Sequence, residues 1–400
     1  MKLLQICNKV PWPLNDGGNI AIHSHTQTFI DAGHQVFLYC LNAAKHKVNK
    51  EEALAAYNNA TVVIEDIDTS IKPVAALNAL INNTSYNVSR FYSKAFESKL
   101  AQLLKKENID VVQFEGTFTG PYVNIVKENS NALVSVRMHN AEFEIWSRLA
   151  SNTRLPLKRW YLQKLSTQLK TYEAALLNKV DTVVTLSPFD LEKFKTLSNH
   201  PTYYNLPAAV DLDRWQYKPT AQIDNWYHLG NMEWHANKEA VNWLVKDIHP
   251  LISQISGFKL HLAGRNIKPE DYQLPLIKTY QEVSDAVDFV SSKDVCIVPL
   301  KSGSGIRIKI LEAMAAGKLV ISTTVGAQGI EYENGKHLLI ADTPKEYYNL
   351  FKRLKNGEID FKSIVKNARA LIEDNYSKAS LSAQLLAFYS KSIALKKGMN

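Results

Sequence analysis

Short runs of aliphatic and β-branched residues alternate with stretches of helical periodicity along nearly the whole chain. In the first half, runs at 3–7, 35–40, 61–64, 111–114, 133–138 and 182–186 predict strands, and stretches at 19–32, 93–106, 122–128 and 157–177 predict helices. Strands that are apolar on both faces and separated by helices describe a parallel sheet covered on each side. The alternation breaks in NLPAAVDLDRWQYKPT, residues 205–220. A second series follows, with strands at 226–229, 259–263, 295–299, 319–322 and 337–340 and helices at 238–246, 284–291, 308–316 and 345–355. The pattern predicts an α/β protein of two Rossmann-like, doubly wound domains, over 1–205 and 206–376. Helices at 345–355, 361–373 and 377–395 are more than one such unit needs, so the last is expected to return to the first domain. In open parallel sheets ligands sit beyond the carboxyl ends of the strands, and the residues just after each run are the ones to search.

Composition narrows the class. The chain has 400 residues, 46% hydrophobic and 22% charged, enough to build two cores without disulfide or metal staples. No apolar run approaches the eighteen residues of a membrane span. MKLLQICNKVPWP at the start is too short an apolar stretch for a signal peptide and reads as a strand. Cys7, Cys40 and Cys296 are far apart, each in a strand-like run, as buried free thiols in a reducing cytoplasm would be. The net charge of +8 first suggests nucleic acid. Residues 1–210 carry 22 basic and 18 acidic side chains and the remainder 25 and 21, so each half is +4 with no basic block. That diffuse excess suits an anionic small substrate or an anionic membrane surface better than duplex binding.

Five segments carry candidate chemistry. PWPLNDGG (11–18) lies between the first strand and the first helix. Gly17 and Gly18 there would permit positive φ and bring backbone N–H groups to a phosphate, although an ordinary two-glycine turn reads the same way. RMHNAE (137–142) closes a strand, and His139, Asn140 and Glu142 stand at its mouth. His139 can hydrogen-bond a sugar hydroxyl or titrate near neutrality, or simply cap the next helix; Glu115 occupies the equivalent place after the preceding strand. PLKSGSGIRIKILEAMAAG (299–317) is the most informative. Gly303, Ser304 and Gly305 form a loop whose amides can cradle an anion, with a helix starting near Ile306. Arg307 can grip phosphate bidentately and Lys309 acts as a point charge, while Glu312 can accept two hydrogen bonds from a ribose diol. Gly230 and Asn231 after one strand and Gly264 after another would let a flat base or a pyrophosphate approach the backbone. TTVGAQGI (323–330) is a further glycine-bearing loop.

Two Asp-x-Asp triplets, at Asp66–Asp68 and Asp211–Asp213, and eleven histidines without zinc-like spacing give no metal site. The stretch 157–177 contains Lys158, Arg159, Trp160, Tyr161 and Lys164. It reads either as a solvated helix with a buried aromatic face, the favoured reading, or as a basic aromatic helix resting on an anionic membrane.

Taken in order, these segments resemble a retaining glycosyltransferase of the GT-B fold, family 4 in particular. PWPLNDGG resembles the family's N-terminal glycine loop, AGHQV its G-H-x-V, RMHNAE its histidine segment and LGNMEWHANKEAVNWL the opening of its second domain. GSGIRIKILEAMAAGKLVIST, followed by VGAQGIE, resembles its donor-binding signature. Two positions depart from the family. Ser304 stands where the first of two glutamates is common, leaving Glu312 as the second, and Asn237-Lys238 stands where a basic pair is common. Gly305-Ile-Arg307-Ile-Lys309 resembles the G-x-R-x-K of some members, which moves the phosphate clamp to Arg307 and Lys309. The resemblance implies two Rossmann-like domains facing a central cleft and metal-independent transfer with retention. The donor, a nucleotide-diphosphate sugar of UDP or GDP type, would bind the second domain with no other cofactor. A glycan or lipid-linked acceptor would bind the first, through Glu115, Asn140 and Glu142. His139, Arg307, Lys309 and Glu312 would be the catalytic group. The expected setting is cell-surface glycan or glycolipid synthesis in the cytoplasm, with peripheral contact at the inner face of the membrane. A non-catalytic nucleotide-sugar-binding subunit and a sugar-nucleotide epimerase of the same fold would share these residues.

Overall fold

The computed structural model describes the chain except for Asn15, Lys45, His46, His200, Pro201, Ala208, Ser256, Ser304, Asn400 and the side chain of Met399. The chain divides into two compact units, Met1–Ala208 together with Leu381–Asn400, and Ala209–Ser380.

In the first unit β1 (Lys2–Cys7), β2 (Gln35–Ala43), β3 (Thr61–Ile67), β4 (Val111–Glu115), β5 (Leu133–Met138), β6 (Thr182–Thr185) and β7 (Tyr203–Asn205) form a parallel sheet in the order β3-β2-β1-β4-β5-β6-β7. Its helices are α1 (Gly17–Asp31), α2 (Lys50–Ala56), α3 (Pro73–Ile81), α4 (Tyr86–Ser89), α5 (Lys94–Lys106), α6 (Val123–Asn129), α7 (Glu142–Ser151), α8 (Pro156–Leu177) and α9 (Pro188–Leu197). Local signals set their ends. Asp16 caps α1 by accepting from the Asn19 N–H, and Gly33 at φ +74° ends it in the left-handed region that glycine enters without strain. Ser187 caps α9, with Pro188 at its first position.

In the second unit β8 (Asn225–Leu229), β9 (Lys259–Ala263), β10 (Ile277–Tyr280), β11 (Val295–Val298), β12 (Leu319–Ser322) and β13 (Leu339–Ile340) run parallel in the order β10-β9-β8-β11-β12-β13. Its helices are α10 (His235–Trp243), α11 (His249–Ile252), α12 (Ala286–Ser291), α13 (Ile308–Ala315), α14 (Pro344–Lys355) and α15 (Phe361–Asn375). A π-helical turn at Leu244–Ile248 joins α10 to α11, so the helix expected at 238–246 is displaced toward the N-terminus and changes pitch. Strand order reverses between β1 and β4 in one sheet and between β8 and β11 in the other, which opens a crevice at the carboxyl ends of those pairs.

The last helix, α16 (Lys378–Met399), belongs mainly to the first unit. Its Tyr389 hydroxyl donates to Gln113 Oε1 and lies 3.1 Å from Ser135 Oγ, while Lys396 pairs with Asp181 at 2.6 Å. It covers a polar layer within the sheet. Gln5, Gln113 and Ser135 are in register across β1, β4 and β5, and Cys7, Glu115 and Arg137 form the next row on that face.

The expected solvated helix with a buried aromatic face is corrected at α8. Trp160 is 58% exposed, because it lies in the first turns of α8, ahead of the buried Leu162 and Leu165. Among the described residues no helix is long and apolar enough to cross a membrane.

Candidate functional site

In the second unit three glycine-bearing turns follow β8, β9 and β11. Gly264 has φ +141°, and a Cβ on it would lie 1.9 Å from the Gly230 carbonyl oxygen. The two turns therefore touch backbone to backbone, and no side chain fits between them. After β11, Gly303 has φ +114°; a Cβ there would come within 2.7 Å of the Arg307 guanidinium and 3.0 Å of the Trp234 ring. Ser302 donates to Glu239 Oε2 at 2.7 Å, which ties this loop to α10. Ser304, the position that departs from the family pattern, lies outside the described residues.

Helix α13 begins at Ile308, the start of the predicted 308–316 run, because Arg307 takes extended backbone as its N-cap. Arg307 is buried, donates through Nη1 to the Gly305 carbonyl at 2.9 Å, and stacks 5.1 Å from the centre of the Trp234 ring. It braces the loop from within. Lys309 donates to Asn237 Oδ1 at 3.2 Å, and Asn237 in turn donates to the Asn231 carbonyl at 2.9 Å. One hydrogen-bonded chain thus links the turn after β8, α10 and the first turn of α13. Burial pushes the Lys309 ammonium down to about 8, with Arg307 adding to the effect. Burial likewise raises the Glu312 carboxyl to about 7, against the opposing pull of Arg214, a hydrogen bond from Trp215, and Lys309. Both groups sit where an uncompensated charge is costly and an incoming opposite charge is welcome. Thr323 donates to the Leu300 carbonyl and Gly326 N–H donates to Thr323 Oγ1, so the 323–330 turn props the end of β11.

In the first unit Gly17 and Gly18 form the first turn of α1, and neither has positive φ, contrary to the sequence reading. A Cβ on Gly18 would lie 3.0 Å from Lys9 Nζ, which pairs with Asp16 at 2.8 Å, a tight fit that a small shift of the lysine end would relieve. Glu115 is also corrected. It is fully buried rather than presented at the sheet mouth, and it accepts from Gln5 Nε2, Gln113 Nε2, Arg137 Nη1 and His139 Nε2, the last at 2.6 Å. With four donors around it, it cannot reach an acceptor. Burial alone would raise its pKa, but Arg137 first and His139 next outweigh that and hold it well below the ordinary carboxylate range. An ionised Glu115 fixes the proton of His139 on Nε2 and leaves Nδ1 as an acceptor. Burial also lowers the His139 pKa below its ordinary value, with Glu115 opposing, so the ring is a neutral hydrogen-bond acceptor more than a titrating acid.

Asn140 lies half-buried at the same mouth, and Glu142 opens α7. Burial, with the nearby Glu173 adding to it, raises Glu142 to about 8. Glu173, from α8, accepts from the Glu142 and Phe143 N–H groups and from Thr117, capping α7 from outside its own segment. The geometry therefore gathers Glu115 with His139 in one unit. In the other it gathers Gly230, Asn231 and Gly264 with Gly303, Gly305, Arg307 and Lys309. Sequence reasoning missed Asn237, Glu239 and Trp234 as supports of the β11 loop, and Gln5 and Gln113 around Glu115. Polar residues at alternate positions of otherwise apolar strands were the available signal for the latter pair.

Residues 224–356 match the family model for glycosyl transferases group 1. This stretch, a third of the chain, is similar to that family, and it takes in the turns after β8, β9 and β11 and the whole of α13. The chain is 21% identical, across 94% of its residues and 96% of the relative's, to a 44.6 kDa protein of the cps region of Klebsiella pneumoniae. Sucrose-phosphate synthase of Thermosynechococcus elongatus shares the fold with a TM-score of 0.69 at 14% identity, over 99% of this chain and all of that one. HepE of Anabaena, solved in complex with UDP, superposes with a TM-score of 0.68 at 12% identity over 98% of this chain and 100% of HepE. The fold is GT-B: two parallel-sheet α/β domains.

Proposed function

We propose that the protein is a retaining glycosyltransferase of family 4 type, moving a sugar from a nucleotide diphosphate to a hydroxyl of a cell-surface glycan or its lipid-linked precursor. The observation that carries this reading is the loop after β11. It lies at the topological switch of the second unit, is floored by glycines, and has Arg307 and Lys309 beside it. The complexes of HepE with UDP and UDP-glucose and the cps-region relative support the donor class and the setting.

The barrier to such a transfer is charge separation, as the anomeric carbon becomes cationic and the departing diphosphate gains charge. Amides and cations held in place beforehand stabilise that charge without reorganising. In this reading Lys309, whose buried ammonium is costly in the empty site, gains a counter-charge from the diphosphate, and Arg307 braces Gly303 and Gly305. The touching turns at Gly230 and Gly264 leave a bare backbone surface for the base, and Glu312 accepts from the ribose hydroxyls. In the first unit His139 Nδ1 accepts from a sugar hydroxyl while Glu115 holds the ring, and Asn140 and Glu142 meet the acceptor. The leaving phosphate takes the acceptor's proton, so the protein need not supply a dedicated base.

Calorimetry with UDP and GDP, followed by turnover with the donor of the preferred base, tests the proposal. Arg307→Ala should lower turnover about 10²–10³-fold, the usual cost of removing one preorganised group. Near-wild-type turnover in that variant, or failure of both nucleotides to bind, would refute the assignment. Nucleotide released together with an epimerised sugar, and no glycoside, would identify an epimerase instead.

A further inference from the structure

Among the described residues, seven of the eight large apolar side chains that are more than half exposed fall in two short segments of the first unit, Leu395 being the other. Ile71, Val74, Leu77 and Ile81 lie on and just before α3, spaced three and four apart, so on the helix they form a single stripe. Leu155, Leu157 and Trp160 lie at the start of α8, where Leu157 is 81% exposed. The segments belong to neighbouring elements: Gln168 of α8 donates to the Ala79 carbonyl of α3, and α4 touches both helices. Isolated exposed apolar residues are ordinary, but a concentration of this kind marks a surface meant to be covered.

Charge indicates what covers it. Between Glu144 and Glu173 the chain has six basic residues and no acidic one. Lys158 and Arg159 immediately precede Trp160 and are exposed with it, and Arg154 is exposed just ahead of them. A protein partner or a second copy of this chain would need to match exposed aliphatic groups and a dense positive field together. A bilayer with anionic headgroups offers apolar chains and negative charge on one surface, and an indole is suited to the boundary between them.

We infer that α3 and the start of α8 form a docking surface for an anionic phospholipid bilayer, with Leu157, Trp160, Val74 and Leu77 entering the headgroup–acyl boundary and Arg154, Lys158 and Arg159 meeting the lipid phosphates. This goes beyond the proposed transfer and does not depend on it, since the surface needs neither donor nor acceptor to bind.

The test is co-sedimentation of the full chain, without nucleotide, with vesicles of equal parts phosphatidylglycerol and phosphatidylcholine, against vesicles of phosphatidylcholine alone. The wild type should partition onto the anionic vesicles and be released by high salt. Each cation near an anionic surface is worth roughly fivefold in binding, so K158Q/R159Q should weaken it by roughly 25-fold. L157S/W160S and V74S/L77S should each weaken it by at least about tenfold while leaving nucleotide affinity unchanged. A wild type that stays in the supernatant with anionic vesicles, or serine variants that bind as the wild type does, would overturn the inference. So would a wild-type dimer on a sizing column that the serine variants dissociate, which would make the surface an interface between copies.

Discussion

Replacing Lys309 by Met should stabilise the empty protein while weakening its hold on nucleotide. Burial brings the lysine from an ordinary value of 10.5 down to about 8. At neutral pH the ammonium is charged both folded and unfolded, so folding carries its desolvation cost. Each tenfold change in an ionisation constant is worth about 1.4 kcal/mol, so that cost is roughly 3 kcal/mol. Lys309 keeps partial access to water, and Asn237 Oδ1 loses its donor in the variant, which together reduce the expected gain to about 1–2 kcal/mol. For a unit of this size that is a rise of about 2–8 °C in the melting transition of Ala209–Ser380, resolved by scanning calorimetry. The sign with pH is fixed. Because the folded pKa lies below the unfolded one, the penalty is complete below about pH 8 and fades between there and 10.5. The advantage of Lys309→Met should therefore shrink over that interval. The variant should also bind UDP or GDP more weakly at neutral pH. A variant less stable than wild type at pH 7, or an advantage that does not change up to pH 10, would refute the reasoning.

Three further outcomes follow from the packing. Glu115→Gln leaves Arg137 as a buried charge without its counter-ion and should destabilise the first unit by about 3–5 kcal/mol in urea titrations. The same depressed carboxylate gives stability that is complete above its ordinary value of 4.5 and is lost as pH falls below it, so acid unfolding of wild type but not of the variant should carry that contribution. Gly264→Ala places a methyl group 1.9 Å from the Gly230 oxygen and should cost roughly 3 kcal/mol or more, seen as a lowered midpoint of the second unit. His139→Ala should reduce turnover while calorimetric nucleotide affinity stays unchanged; the opposite pattern would remove His139 from the chemistry.

The central strands were legible because they are short, apolar and bounded by turn residues: Leu133–Met138, Lys259–Ala263 and Leu319–Ser322 have the ends the sequence predicts. Two edge strands, β7 and β10, were not. Ile277–Tyr280 has polar Lys278 and Thr279 between its apolar ends, and Tyr203–Asn205 is three residues long; such strands depend on a neighbour more than on their own pattern. Helix α3 escaped because PVAALNALI offers almost no polar face to set a period, the same property that leaves its stripe bare. At the site, residue types and spacing located Arg307, Lys309 and His139, but they could not separate a group that meets a ligand from one that supports another. Burial decides that: Glu115 faces inward onto Arg137 and His139, and Arg307 turns back onto Gly305 and Trp234. Glu173 shows the limit most clearly, since it caps α7 from thirty-one residues away, a relation no local pattern records.

The polar layer of the first sheet is closed by Tyr389, near the far end of the chain. During synthesis, residues 1–208 emerge without that lid, so Gln113 and Ser135 must wait for a partner while the whole of 209–380 is made. The second unit, an uninterrupted segment, has all its strands available before α16 leaves the ribosome. The half written first is therefore the half finished last, and a chain cut at 380 would hold a complete second sheet beside a first one still lacking its cover.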